Sequence, residues 1–228
     1  MRTLFVFLDG VGIGRADPSL NPFFQAELPT IQALLGSIPT LTDPRRERRG
    51  DGARETAAFP LDATLGVEGT PQSGTGQTSL LTGVNAAERF GRHFGPWTPV
   101  RLRPLLETNN VLGRARRAGF DVAFANAYPQ GWPGNRRRLA APPLAAHAAG
   151  LLTRHAEALA SGAAVSSEIV NDGWIEHLGH RDLDRPTPAK AGERLADIAA
   201  VWRAPSPPSR PSMRSWEACC LACPPTSC

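Results

Sequence analysis

At 228 residues and a net charge of +4, the chain is long enough to bury a full core, and one domain is the default. No apolar run is long enough to cross a membrane. The opening Met1-Arg2-Thr3-Leu4-Phe5-Val6-Phe7-Leu8-Asp9 stops too soon for a signal peptide, with no small-residue cleavage site after it, so the expected compartment is cytoplasmic.

Arg replaces Lys almost throughout, and Lys190 is the only lysine. That bias reports a GC-rich gene rather than a binding surface. The clusters Arg45-Arg46-Glu47-Arg48-Arg49 and Arg136-Arg137-Arg138 lack interleaved aromatics and read as solvated loops. No nucleic-acid or membrane partner is expected.

Residues 4–8 form a short apolar run rich in Phe and Val, closed by Asp9-Gly10. The pattern predicts a buried strand of a parallel sheet. Functional residues of open α/β sheets gather at the C-terminal strand edge, which places Asp9 to be a ligand. The alternative is that Asp9-Gly10 only turns the chain. The following Gly10-Val11-Gly12-Ile13-Gly14 has the wrong glycine spacing for a dinucleotide fingerprint, and Pro18 and Pro22 interrupt any helix after it. Residues 28–35 predict a short helix, with Pro29 in its first turn and Gly36 as its stop.

Residues 43–58 are polar and charged and read as a surface excursion, and 61–66 predict a second strand. Then comes Gln72-Ser73-Gly74-Thr75-Gly76-Gln77-Thr78-Ser79-Leu80-Leu81-Thr82-Gly83, hydroxyls and glycines running into a helix. The first N–H groups of a helix lack partners and its dipole favours an anion there, while Gly74 and Gly76 allow close approach to the backbone. Ser73 therefore stands where a phosphate-like group is both bound and attacked; a plain structural turn is the competing reading. A nucleotide P-loop fits less well. Aligning Gly76-Gln77-Thr78 on its G-K-T end puts Gln77 where the phosphate-neutralising Lys belongs.

Residues 100–119 predict a helix, 121–126 a strand, 140–159 an Ala-rich helix and 187–202 a further helix. Between the last two lies Asp172-Gly173-Trp174-Ile175-Glu176-His177-Leu178-Gly179-His180-Arg181-Asp182. His177 and His180 with these carboxylates raise metal ligation, but Gly179 and the short span favour a loop, solvated or in contact with cap or substrate.

Val6-Phe7-Leu8-Asp9-Gly10-Val11-Gly12-Ile13-Gly14 with Asn21-Pro22, followed by Gln72-Ser73-Gly74-Thr75-Gly76-Gln77 and Thr82-Gly83-Val84-Asn85, resembles the alkaline phosphatase superfamily. The branch is that of cofactor-independent phosphoglycerate mutase and phosphopentomutase. The resemblance runs with decreasing clarity to about residue 200. It implies an α/β fold, a three-layer sandwich with a mainly parallel sheet, over residues 1–202, with cap elements within 126–185. It implies a metal-dependent phosphoryl-transfer enzyme, phosphatase or phosphomutase-like, acting on a small phosphorylated or sulfated substrate. Ser73 resembles the nucleophile and a metal ligand, and Asp9 the first metal ligand. Thr75, Gln77 and Asn85 fall near them, with no role assigned. The cofactors implied are two divalent ions, Mn, Mg or Zn. No oligomeric state is implied.

The family's later metal ligands, in an Asp-x-x-Gly-His type segment and an Asp-His-Gly segment, have no counterpart after residue 190. Residues 203–228 are instead rich in Pro and Ser and hold all four cysteines. Cys220 and Cys223 have the spacing of a zinc or redox pair, with no second pair to complete it. We read this stretch as a frameshift product or a disordered tail, and the fold as truncated at its C-terminus. The chain is then expected to have little or no turnover. A non-catalytic α/β remnant that at most binds anions is the alternative, and a P-loop-like nucleotide binder the third.

Overall fold

The structure, a computed structural model, describes residues 3–43, 46–49 and 55–201, of which 46–49 and 55 are described by their backbone alone. The Pro-, Ser- and Cys-rich stretch from 203 onward, with the frame change proposed for it, lies outside these residues. The chain divides into two contact units, one of residues 5–102 and one formed mainly by residues from 103 onward.

In the first unit, helix α1 (Pro29–Leu35) opens on Pro29 and stops at Gly36, as its sequence dictates. Proline at the first helical position gives up an N–H that has no partner there anyway. Strands β1 (Arg46–Arg49) and β2 (Glu55–Ala58) pair antiparallel, with Arg46 opposite Ala58. A short hairpin thus stands within the expected surface excursion. It is the one ladder among the described residues. A single parallel bridge joins Gly14 to Thr40.

Helices α2 (Ser73–Thr82) and α3 (Ala86–Phe90) pack on each other, with Leu81, Ala86 and Ala87 buried. The buried side of α2 also carries Thr75, Thr78 and Thr82. Their hydroxyls find acceptors close by: Thr78 Oγ1 donates to the Gly74 carbonyl at 2.6 Å and Thr82 Oγ1 to the Thr78 carbonyl at 2.8 Å. A polar stretch is thereby buried without orphaned groups. Asn85 caps α3, its Oδ1 accepting the Glu88 N–H at 3.2 Å, and its Nδ2 donates to the Leu65 carbonyl at 2.9 Å.

Two expected strands of this half take other forms. Residues 4–8 join no ladder among the described residues, and their side chains are exposed, from 40% at Phe7 to 64% at Phe5. An apolar β-rich run selects extended backbone, but its ladder hydrogen bonds must come from a neighbouring strand. Residues 63–66 are a turn rather than a strand. Asp62 captures this segment, with Oδ1 accepting the Thr64 N–H at 2.9 Å and the Thr64 hydroxyl at 2.7 Å. Such local bonding offers the backbone an alternative to a sheet.

In the second unit the helix expected over 100–119 is interrupted. A 3-10 turn (Val100–Leu102) ends the first unit, and α4 (Arg103–Asn109) and α5 (Val111–Arg117) follow, broken at Asn110. Asn110 is only 1% exposed. Its Oδ1 caps α5 by accepting the Gly113 N–H at 2.8 Å, and its Nδ2 donates to the Leu106 carbonyl at 2.9 Å. Replacing Asn110 by Ala removes both bonds from a dry site, so we expect a loss of about 2 kcal/mol in urea unfolding. Asn110→Ser, an uncharged capping acceptor, should recover part of it.

The Ala-rich helix expected over 140–159 is two helices, α6 (Ala141–Ala148) and α7 (Ala156–Ala160). Helix α6 packs on α4 and α5 through an apolar face that includes Leu144, Ala145 and Ala146. A separate cluster joins Ala127, Leu159, Ala164, Trp174 and Leu183. The strand expected over 121–126 is reduced to one parallel bridge, Asn126 with Val165. It is supported by Arg154, whose guanidinium donates to the Phe124 and Ala163 carbonyls at 2.7 and 2.9 Å. Helix α8 (Pro188–Val201) closes the described chain. No described helix is long and apolar enough to cross a membrane.

Candidate functional site

Ser73 is the first residue of α2. The chain enters that helix in extended conformation at Gln72 and turns at once, because the loop at 94–97 packs against its first turn. The Thr75 N–H donates to the Phe94 carbonyl at 2.9 Å, and the Phe94 N–H donates back to Thr75 Oγ1 at 3.2 Å. These bonds satisfy one of the free donors of the helix start and fix the direction in which Ser73 points.

The Ser73 hydroxyl donates to Asp9 Oδ2 at 2.8 Å, joining residues 64 positions apart. Asp9 follows the apolar run 4–8 and precedes Gly10, whose φ of 75° lets the chain turn away from the carboxylate. The two residues singled out by the sequence motifs therefore meet in one hydrogen bond within one unit. Asp9 is exposed and Ser73 half-buried, so the pair is open to a solute.

A third side chain belongs to this constellation. Gln77 Nε2 donates to the same Asp9 Oδ2 at 3.2 Å. Gln77 lies one helical turn beyond Ser73, on the same face of α2. Sequence reasoning placed it near the motif without assigning it a role. The signal available was its i+4 spacing from Ser73.

The turn leading to α2 is pinned at several points. His93 Nε2 lies 3.1 Å from the Val67 carbonyl oxygen, and Asn85 holds Leu65 as described. The Thr64 hydroxyl, and secondarily the Thr64 N–H, hold the Asp62 carboxyl below the ordinary aspartate range. A carboxyl lowered in the folded state adds stability that is present above its unfolded pKa and is lost as pH falls through the folded value. Carboxyl-carbon NMR titration should therefore find Asp62 low, and Thr64→Val should return it toward the ordinary value.

The cation ligands implied by the resemblance are another matter. Asp9 and Ser73 bring one carboxylate and one hydroxyl. Among the described residues no group of three or more His, Cys, Asp or Glu side chains is arranged to hold a metal ion. A catalytic metal takes about three protein ligands, and a pair of divalent ions needs more. The described residues do not fit a two-cation centre.

His177 and His180 do not supply one within their own unit. Residues 173–177 form a π-turn rather than an open loop, with Trp174 buried and its ring 5.3 Å from that of His180. Arg185 engages two of the nearby carboxylates, donating to Asp172 and, at 3.0 Å, to Glu176. These two bonds and the coulombic pull of Asp172 and Glu176 raise the Arg185 pKa, with the Glu176 bond the largest cause. Two of the three carboxylates that suggested a metal, Asp172 and Glu176, already have a cationic partner.

The arrangement at Ser73 is thus a hydroxyl on a helix start, hydrogen-bonded to a carboxylate that a second α2 side chain also holds. No protein-family model, no curated protein and no solved structure matches the chain.

Proposed function

We propose that the chain carries the nucleophile side of a metal-dependent phosphoryl-transfer site, phosphatase or phosphomutase-like, with Ser73 as nucleophile and Asp9 as its carboxylate partner. The substrate class is a small phosphorylated or sulfated molecule and the compartment cytoplasmic. The observation that carries the reading is the 2.8 Å hydrogen bond from Ser73 to Asp9 across 64 residues. Two motifs that resemble the alkaline phosphatase superfamily predict that meeting, and a plain turn at either motif does not. The parallel sense of the Gly14–Thr40 and Asn126–Val165 bridges supports an α/β sandwich as the parent architecture.

The same site has little or no turnover in this chain, because its ligand set ends at Asp9 and Ser73 among the described residues. A serine hydroxyl is a weak nucleophile unless a base, a metal or a lowered pKa activates it. A lone exposed carboxylate is a poor general base at neutral pH. The second reading, a non-catalytic α/β remnant that binds anions near Ser73, is favoured by that same shortage of ligands.

Two measurements test the proposal. Hydrolysis of an aryl phosphate with Mn²⁺ should stay at background for the chain and for Ser73→Ala alike. Robust turnover that disappears in the variant would overturn the inactivity. Orthovanadate, which forms adducts with nucleophilic hydroxyls, should broaden in vanadium NMR with the parent and not with Ser73→Ala. Equal broadening removes Ser73 as the nucleophile and leaves the anion-binding remnant.

A further inference from the structure

The mismatch between the two-cation expectation and the residues present has a local cause at Gln77. We propose that the Gln77 amide stands in for a cation at Asp9 and keeps divalent ions off this site. The inference rests on the reading of Ser73 and Asp9 as the site.

Asp9 Oδ2 accepts two hydrogen bonds, both from α2: the Ser73 hydroxyl at 2.8 Å and the Gln77 amide at 3.2 Å. Each donor presents the positive end of a dipole to the lone pairs a cation would use. The amide is neutral, so the trio carries a single negative charge, that of Asp9. A hard cation such as Mn²⁺ or Mg²⁺ is held by several oxygens, and affinity rises with the number of charged ligands. One carboxylate, one neutral hydroxyl and an amide turned N–H first supply too little of either.

The position is nonetheless well placed for a ligand. Gln77 and Ser73 are one turn apart on one face of a helix whose first turn is fixed by the Thr75–Phe94 bonds. A carboxylate at 77 would add a second charge and a third oxygen donor beside Asp9 and Ser73. It would also face Asp9 at close range, where two like charges repel unless a cation lies between them.

The experiment is Mn²⁺ titration of the full chain, followed by electron paramagnetic resonance of free Mn²⁺ and by thermal melting. For the parent, the free-ion signal should be undiminished at millimolar Mn²⁺ and the melting temperature unchanged. Gln77→Glu should take up a single ion at least about tenfold more tightly than the parent. It should melt lower than the parent without Mn²⁺ and recover on its addition. Adding Asp9→Asn to Gln77→Glu should abolish both uptake and recovery.

The proposal is overturned if the parent binds Mn²⁺ in a manner that Asp9→Asn removes, because the amide then excludes nothing. It is also overturned if Gln77→Glu, shown by circular dichroism to retain its helices, takes up no ion. Neither readout involves turnover or vanadate, so a failure here is separable from a failure of Ser73 as nucleophile.

Discussion

Gly74→Ala should destabilise the chain by about 2 kcal/mol, although alanine is the better helix former. Gly74 is the second residue of α2 and is buried. In an open helix the exchange would gain roughly 0.5–1 kcal/mol. Here a Cβ on Gly74 would lie 2.7 Å from the Phe94 carbonyl oxygen and closer still to that of Trp97. Both obstacles are backbone, and residue 94 is tied to Thr75 by hydrogen bonds in both directions. Neither can swing aside like a side chain. Overpacking of this kind costs about 1–3 kcal/mol, toward the upper end where backbone must move, which outweighs the propensity gain.

Gly76→Ala supplies the control. Nothing lies within 4 Å of a Cβ at Gly76, so propensity acts alone, and a gain of about 0.5–1 kcal/mol is expected. Opposite signs from two glycines two residues apart are a demanding outcome. Amide exchange along α2 reads it directly, faster by about 30-fold in the first variant and slower in the second. Equal effects would mean that the 94–97 loop does not pack on the helix start as described. The two glycines also differ in what they make room for. Gly74 admits the protein's own backbone, and only Gly76 leaves open space for an anion.

The second large effect is expected in the other unit. Leu106 on α4 is fully buried, and α4 packs against α5 and α6. Leu106→Ala deletes apolar contacts and leaves a cavity, at a cost of about 2–5 kcal/mol. The upper part of that range is expected. The Leu106 carbonyl is also an anchor for Asn110, so the backbone there is held from both sides and collapses poorly into the void. Urea unfolding measures the loss. A double variant with Asn110→Ala should cost less than the sum of the singles, since each loosens what the other relies on. Simple additivity would mean the two residues act independently.

How far the sequence foretold these features depended on where each element finds its partners. Helix α1 was legible because Pro29 and Gly36 encode both of its ends locally. The start of helix α8 was legible in the same way, from Pro188. The break at Asn110 was not, because apolar spacing continues through it, while the break after Ala148 had a local stop in Gly150, whose φ of 67° follows the cap, that the Ala-rich run around it obscured. The run 4–8 shows the limit most plainly: a strand is a relation between segments, and composition describes only one of them. At residues 61–66 the side chains of Asp62 and Thr64 outcompete any sheet, a local contest that hydrophobic periodicity does not register. The meeting of Ser73 with Asp9 was legible only from two short motifs taken together, since neither alone points to its partner. Gln77 stayed without a role because a neutral amide carries no signature without the carboxylate it meets.

The back-bonded threonines of α2 have a bearing on how that helix tolerates change. Their hydroxyls spend their donors on the preceding turn, and those carbonyls keep their ordinary helical N–H partners. At Thr78 the side chain therefore meets its surroundings as a methyl group, hydrocarbon in effect though alcohol in formula, whereas the Thr82 oxygen also accepts the Val84 N–H at 3.3 Å. Valine at 78 keeps that methyl and forfeits only a bond to a carbonyl that has its helical partner, whereas valine at 82 leaves the Val84 N–H without that acceptor. The middle of the helix thus holds its shape locally, while its start, where Ser73 lies, is held by the 94–97 loop.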